Sequence, residues 1–227
     1  MNEITICVPF YQNPDMLALQ IETWNRYPDQ AKKALRFIVV DDGSPEPARI
    51  DHQTDVDLQM YRIREDILWN NTGAKNLAAD KAETSHVLFL DIDHVIEPDN
   101  IMTLLTNTYE PKTVNIFKRI TQKNEERPAN TYLVLMNRAE FLDLGMWDED
   151  FAGGYGVDGT SFWKLATQKG FRRVEWTSPT FRIYLGGDAN TIAPRDKTRN
   201  RKIHQQKEHG VFKSNPRRLR FEYERTR

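Results

Sequence analysis

Residues Val87-Leu88-Phe89-Leu90-Asp91-Ile92-Asp93 constrain this chain more than any other stretch. An apolar run of strand length stops abruptly at two carboxylates spaced Asp-x-Asp. A buried strand delivers both acids to the carboxyl edge of a sheet, where open α/β folds bind their ligands. Two clustered carboxylates attract a divalent cation, and oxygen ligands suit Mg²⁺ or Mn²⁺. Such a cation holds a phosphate or pyrophosphate. The motif therefore points to an enzyme that handles a nucleotide-linked substrate.

The first hundred residues alternate strand and helix. Ile4, Ile6 and Val8 alternate in a strand over Glu3–Pro9. Asn13-Pro14 then opens a helix, with Asn as N-cap and Pro at the first helical position. Arg36–Asp41 reads as a second buried strand, closed by the turn Asp42-Gly43-Ser44-Pro45. Val56, Leu58 and Met60 alternate as a third strand, and Ala74–Ala82 reads as a helix. The strand ending in Asp91 and Asp93 follows, then a helix opened by Glu97-Pro98-Asp99. This alternation predicts an α/β fold with a mainly parallel sheet flanked by helices.

The pattern then changes. Val114–Ile120 and Tyr132–Asn137 read as strands, and Arg138–Leu144 as a helix stopped by Gly145. A glycine-rich loop, Phe151–Gly159, precedes a helix from about Thr160 to Gln168. Phe171–Trp176 reads as the last strand, and regularity fades after Gly186-Gly187.

At 227 residues the chain is sized for one domain, or one domain with an appendage. The net charge of −1 hides an asymmetry. From Asn190 to Arg227 twelve Lys or Arg face four acids, so this tail carries +8 and the rest of the chain −9. The expected organisation is a catalytic domain over residues 1–189 and a basic extension, partly disordered, over residues 190–227. A basic tail meets phosphates on a nucleotide, an anionic lipid surface or nucleic acid. Cys7, the single cysteine, sits in the first strand without a partner for an internal disulfide. No apolar run approaches the ~20 residues of a bilayer-crossing helix, and Met1–Thr5 lacks the pattern of a signal peptide. The expected location is cytoplasmic.

Three constellations carry chemistry. Asp41 and Asp42, at the end of the second strand, are placed to accept hydrogen bonds from a base N–H or a ribose hydroxyl, or else simply to build a turn. Asp91 and Asp93 repel one another when ionised, and a cation relieves that repulsion. His94 offers a further ligand, but on geometry it is expected to point differently from Asp93, as a solvated or structural histidine. The Leu144–Gly159 segment is dense in acids, aromatics and glycines. In it Tyr155 and Trp147 offer faces for stacking on a sugar, and Asp158 is either a helix N-cap or a catalytic base.

These elements, in this order, resemble the GT-A glycosyltransferases, especially the family 2 type. The resemblance covers roughly residues 3–185. It rests on Ile6-Cys7-Val8-Pro9-Phe10-Tyr11, Val40-Asp41-Asp42-Gly43-Ser44, Gly73-Ala74-Lys75-Asn76, Asp91-Ile92-Asp93 and the Gly145–Asp158 segment. Gly154-Tyr155-Gly156-Val157-Asp158 also looks like the acceptor-site motif of the galactosyltransferase branch. The resemblance implies a metal-dependent, inverting transfer of a sugar from a nucleoside-diphosphate sugar, most often a UDP-sugar. Pro9, Phe10 and Tyr11 would line the nucleotide. Asp41 or Asp42 would contact the base, and Lys75 and Asn76 would lie near the nucleotide. Asp91 would touch the ribose or donor sugar and share the Mn²⁺ or Mg²⁺ site with Asp93. Asp158 would deprotonate the acceptor hydroxyl.

Two departures from the family pattern stand out. The family usually has Glu-Asp where this chain has Val157-Asp158. It also often supplies a late histidine as a metal ligand, and Phe181–Asp188 contains none, leaving Asp188, His204 or His209 as substitutes. The acceptor implied is a glycan, a protein, a lipid-linked glycan or a nucleic acid. The tail reads equally as a clamp on the donor diphosphate through Arg195, Lys197 or Arg199. The competing readings are a nucleotidyltransferase-like enzyme and a sugar-nucleotide-binding protein without transfer. The first is disfavoured because Pro9–Pro14 lacks the glycines and lysine that hold a triphosphate.

Overall fold

The computed structural model describes residues 1–50, 53–184, 194–209 and 219–227. Its centre is four parallel strands: β1 (Ile4–Phe10), β2 (Leu35–Asp41), β3 (Leu58–Ile63) and β4 (His86–Phe89). β1 lies between β2 and β4, in register Ile4 to Leu35 and Ile4 to His86. Side chains alternate across this sheet, and each face is apolar. Ile4, Ile6, Val8 and Leu88 enter one core, and Cys7, Val87 and Phe89 enter the other. Burial on both faces is why these strands read as near-continuous apolar runs.

Helices cover both faces. The first core receives α1 (Pro14–Asn25) through Leu17, Ile21 and Trp24, α2 (Asp29–Ala34) through Ala31, and, later in the chain, α4 (Pro98–Thr106) through Ile101, Leu104 and Leu105. Asn13 caps α1, its side chain accepting from the Met16 amide at 3.4 Å. The other face carries α3 (Asn71–Lys81), whose Leu77 and Ala78 pack on the sheet. A short strand β5 (His94–Val95) separates β4 from α4.

The second half extends the sheet with mixed pairing. β6 (Thr113–Thr121) carries the two-residue β7 (Glu126–Arg127) along its length. β8 (Val134–Asn137) inserts between β4 and β6, antiparallel to both. α5 (Arg138–Leu144) and α6 (Asp158–Gln168) add Phe141 and Phe162 to the second core. β9 (Arg172–Ile183) runs parallel to β6 and antiparallel to β5. The resulting order among the described residues is β10-β3-β2-β1-β4-β8-β6-β9-β5, where β10 is Tyr223–Arg225.

The α/β architecture with a mainly parallel centre is as the sequence predicts. β9 is longer than expected. Pro179 interrupts the apolar pattern after Trp176, and a proline inside a run argues against a central strand. Here the pairing with β6 shifts register between Phe117 and Arg119, and Phe181 and Ile183 resume as buried residues. The tail differs too. It forms α7 (Thr198–Glu208), then returns along the sheet edge as β10, antiparallel to β3. The boundary drawn at residue 189 falls outside the described residues. α7 escapes detection because it has no apolar stripe. Among the described residues no helix is long and apolar enough to cross a membrane.

Phe221, just before β10, is buried in the second core. Phe221→Ala should therefore destabilise the whole fold by ~3 kcal/mol, as for other buried phenylalanines. Chemical denaturation followed by tryptophan fluorescence reads this directly. An unchanged midpoint would show the tail to be an appendage.

Candidate active site

The carboxyl ends of β1, β2 and β4 open into a cavity of about 740 Å³. Pro9, Phe10 and Tyr11 follow from β1, Asp42 from β2, and Asp91, Ile92 and Asp93 from β4. The start of α6 adds Tyr155, Gly156, Val157 and Asp158, and the tail adds Arg195, Lys197, Arg201 and His204. This volume suits a drug-sized or nucleotide-sized ligand.

The two aspartates after β2 part ways. Asp41 is consumed by structure: Oδ1 accepts from the Ser44 amide at 2.9 Å, and Oδ2 accepts from the Ala48 amide at 2.9 Å and from Arg62 at 2.8 Å. It is absent from the cavity wall. Asp42 reaches the wall and accepts from Asn70 Nδ2 at 3.0 Å. The turn between strand and loop needs Gly43, at φ +73°, because a Cβ there would lie 2.3 Å from the Glu65 carbonyl oxygen. Burial pushes the Asp42 carboxyl up to about 8, with Asp41 and Asp66 adding to the rise and the Asn70 hydrogen bond opposing it.

Lys75 and Asn76 are buried and do not line the cavity. Asn76 donates to the Trp147 carbonyl and to Glu149, both at 2.8 Å, and accepts from the Trp147 amide at 3.0 Å. It is a core fastener between α3 and the loop after α5. Lys75 is almost wholly buried and donates to Asp91 Oδ1 at 2.8 Å. Its ammonium lies 5.5 Å from the Tyr132 ring centroid and 5.7 Å from that of Trp147. Burial alone raises the Asp91 carboxyl, but the Lys75 ammonium, through its charge and its hydrogen bond, outweighs that and holds the group below the usual carboxylate range.

Asp91, Asp93 and His94 form the group among the described residues that is able to hold a metal ion, with ligand atoms within 4.8 Å of one another. His94 does not point away from Asp93 as expected, nor is it solvated. It is buried, and its Nδ1 lies 2.6 Å from Asp93 Oδ1. Arg119 Nη1 lies 3.3 Å from His94 Nε2. A guanidinium only donates, so Nε2 accepts and the proton resides on Nδ1, donated to Asp93. His94 thus orients Asp93, the role outer partners of metal ligands commonly play. Gln20 fixes the same turn from α1, donating to the Ile92 carbonyl at 3.0 Å and the His94 carbonyl at 2.6 Å. Two partly exposed carboxylates beside an imidazole fit Mn²⁺ or Mg²⁺ by donor type.

Of the substitute third ligands, Asp188 lies outside the described residues. His204 lines the cavity but stands apart from the Asp91–Asp93–His94 group, and His209 is an exposed cap of α7. Trp147 does not offer a stacking face. It is buried against Phe162 with ring centroids 4.1 Å apart. Tyr155 lines the cavity, its ring edge-on to Trp69 at 4.8 Å.

Asp158 is the first residue of α6, preceded by Val157 in a left-handed conformation at φ +72°. A β-branched residue there is strained and persists only where its surroundings hold it. Its carboxylate accepts from the Tyr132 hydroxyl at 3.3 Å. Burial raises the Asp158 carboxyl above the usual range, with Lys75 and the Tyr132 hydrogen bond working against that rise.

The sequence missed Asn200. It is fully buried, and its Nδ2 donates to the carbonyls of Phe151, Gly154 and Gly156 at 3.0, 2.8 and 2.8 Å. A Cβ on Gly154 would sit 2.7 Å from Asn200 Oδ1. The acids of this segment also serve the tail. Lys207 bridges Asp148 and Asp150 at 2.5 and 2.6 Å, Arg220 pairs with Asp150, and Glu149 accepts from the Leu219 and Arg220 amides.

The family described as Glycosyltransferase like family 2 matches residues 5–117. The Staphylococcus aureus protein TarS, residues 1–349 in complex with UDP-GlcNAc, superposes with a TM-score of 0.69 at 14% identity, over 94% of this chain and 67% of that one. The same TarS fragment in another crystal structure gives 0.61 at 16% identity, over 80% and 60%. The mannosyltransferase PcManGT from Pyrobaculum calidifontis, in complex with GDP-Man and Mn²⁺, gives 0.59 at 16%, over 80% and 56%. This chain thus spans 56% to 67% of the length of these three structures. No curated protein sequence matches it. The fold is GT-A, and the first half of the chain is family 2-like.

Asp42 provides a check on this geometry by pH. Its folded pKa of about 8 stands above the ordinary 3.8, so the fold binds that proton more tightly than the unfolded chain does. Its contribution to stability is full at low pH and declines as pH rises through that window. Asp42→Asn, always neutral, should gain Tm relative to the native protein between pH 5 and pH 8 and level off above. A Tm difference that stays flat from pH 5 to pH 9 contradicts the buried placement.

Proposed function

We propose, for a chain with the GT-A fold and a family 2-like first half, that it transfers a sugar from a nucleoside-diphosphate sugar to an acceptor hydroxyl with inversion. The observation that carries this is the convergence in one cavity of Asp91 and Asp93 at the end of β4 with Asp158 at the start of α6. The two structures cited with bound donors, TarS with UDP-GlcNAc and PcManGT with GDP-Man and Mn²⁺, support the donor class.

In this reading Pro9, Phe10 and Tyr11 line the nucleotide, and Asp42 meets the base or ribose. Lys75 holds Asp91 ionised and in place, and His94 orients Asp93 through its Nδ1 hydrogen bond. Asp91 and Asp93 would hold a divalent cation, which would supply positive charge for the diphosphate leaving group. Asp158 takes the proton of the acceptor hydroxyl as its oxygen bonds to the anomeric carbon. The bond from that carbon to the diphosphate breaks on the opposite face, and the electron pair leaves with the diphosphate. A carboxylate with a raised pKa is a stronger base, which suits this role. Tyr132, bonded to Asp158, aims it into the cavity.

Asp158→Asn should lower transfer on the order of 10²–10⁴-fold, with donor binding intact. Loss of activity toward acid should set in above the ordinary carboxylate range, because the Asp158 pKa is raised. Near-native turnover in the variant would remove Asp158 from the mechanism. Asp93→Ala should abolish Mn²⁺-dependent binding of UDP in a calorimetric titration; an unchanged isotherm would remove the metal role. A protein that binds donor but never hydrolyses or transfers it, across a panel of nucleotide sugars with Mn²⁺, would be a binding module instead.

A further inference from the structure

α7 is docked without an apolar reason. Asn200 is its one buried residue. A helix polar on all sides gains little from burial, so something else must fix it. Asn200 does so through three carbonyls of the glycine loop, and Lys207 does so through Asp148 and Asp150. These anchors hold a second face of the helix toward the cavity. Lys197, Arg201 and His204 are four and three residues apart, a spacing that stacks them on one side, and all three line the cavity.

The cations of α7 divide by partner. Lys207 is paired with carboxylates. Among the described residues, Lys197 and Arg201 have no carboxylate within ion-pair distance. Arg195 and Lys197 instead lie 5.7 and 5.6 Å from the Tyr155 ring centroid. Tyr155 stands three residues before Asp158 and packs on Trp69. The acids lining the cavity come from the sheet edge and the start of α6, and the cations from residues 195–201 alone.

We propose that the acceptor is a carbohydrate bearing a phosphate, its sugar ring on Tyr155 and its phosphate against Lys197 and Arg201. This rests on Asp158 as the acceptor base, since Tyr155 and Gly156 lead directly into it. The anchored start of α7 presents two cations without an ion-paired carboxylate among the described residues, Arg201 sensing only the exposed Asp196 nearby, and such a site suits an anion because little ordering remains to be done on binding. The donor's diphosphate has its own place at Asp91 and Asp93, so the phosphate on this face is the acceptor's.

Titration of the full chain, saturated with UDP and Mn²⁺, against glucose 6-phosphate and glucose tests this. Glucose 6-phosphate should bind more tightly than glucose by about tenfold or more, the gain of one good charged hydrogen bond, and should weaken as salt is raised. Lys197→Gln with Arg201→Gln should erase that preference while Tm and UDP–Mn²⁺ binding stay native. Equal affinity for the two sugars, or no binding of the phosphorylated one, overturns the proposal. So does loss of UDP–Mn²⁺ binding in the double variant, which would assign these cations to the donor. A native protein that fails to bind UDP with Mn²⁺ instead defeats the donor assignment. The sugar titration repeated without nucleotide then still decides whether the cationic face binds phosphate.

Discussion

The Lys75–Asp91 ion pair is the interaction on which the site depends. Lys75 comes from the middle of α3 and is nearly inaccessible, and Asp91 stands at the exit of β4. A buried ammonium without a partner is strongly unfavourable, so each group requires the other. Their union places one carboxylate at the carboxyl edge of the sheet and keeps it ionised against the pull of burial. The same ammonium lies beside the rings of Tyr132 and Trp147 and limits the rise that burial gives the Asp158 pKa. One buried positive charge thus tunes both acid centres of the cavity.

Around this pair the loops are tied by amides rather than by apolar packing. Gln20 holds the Ile92–His94 turn, Asn76 holds Trp147, and Asn200 holds the glycine loop. Each satisfies backbone groups that irregular segments cannot pair internally. The strain at Val157 is placed where Asn200 and α6 together fix the backbone on either side. Rigid support of this kind is what keeps reacting groups within the tolerance that catalysis demands.

The charge asymmetry of the chain has an internal use. The acids Asp148, Glu149 and Asp150 and the basic tail are partners for one another, through Lys207, Arg220 and the Leu219–Arg220 backbone. The described residues of the tail pack onto the rest of the chain at the glycine loop, at the Asp148–Asp150 segment and along the edge of β3. Among the described residues of the tail, Arg195, Lys197 and Arg201 line the cavity.

The sequence by itself determined the sheet, its parallel centre and the two acids beyond β4. Those features follow from apolar runs and turn residues, which act locally and leave a periodic trace. Tertiary structure alone decided which acids and amides are free. Asp41 and Asp42 are adjacent and chemically identical, yet Arg62, from a strand 21 positions on, occupies the first and leaves the second at the cavity. His94 turned toward Asp93 because Arg119 fixes its other nitrogen. α7 and Asn200 were invisible because a polar helix held by three distant carbonyls has no periodic signature. Hydrogen bonds and ion pairs between residues far apart in the chain are set by the fold that brings them together, and no local pattern records them.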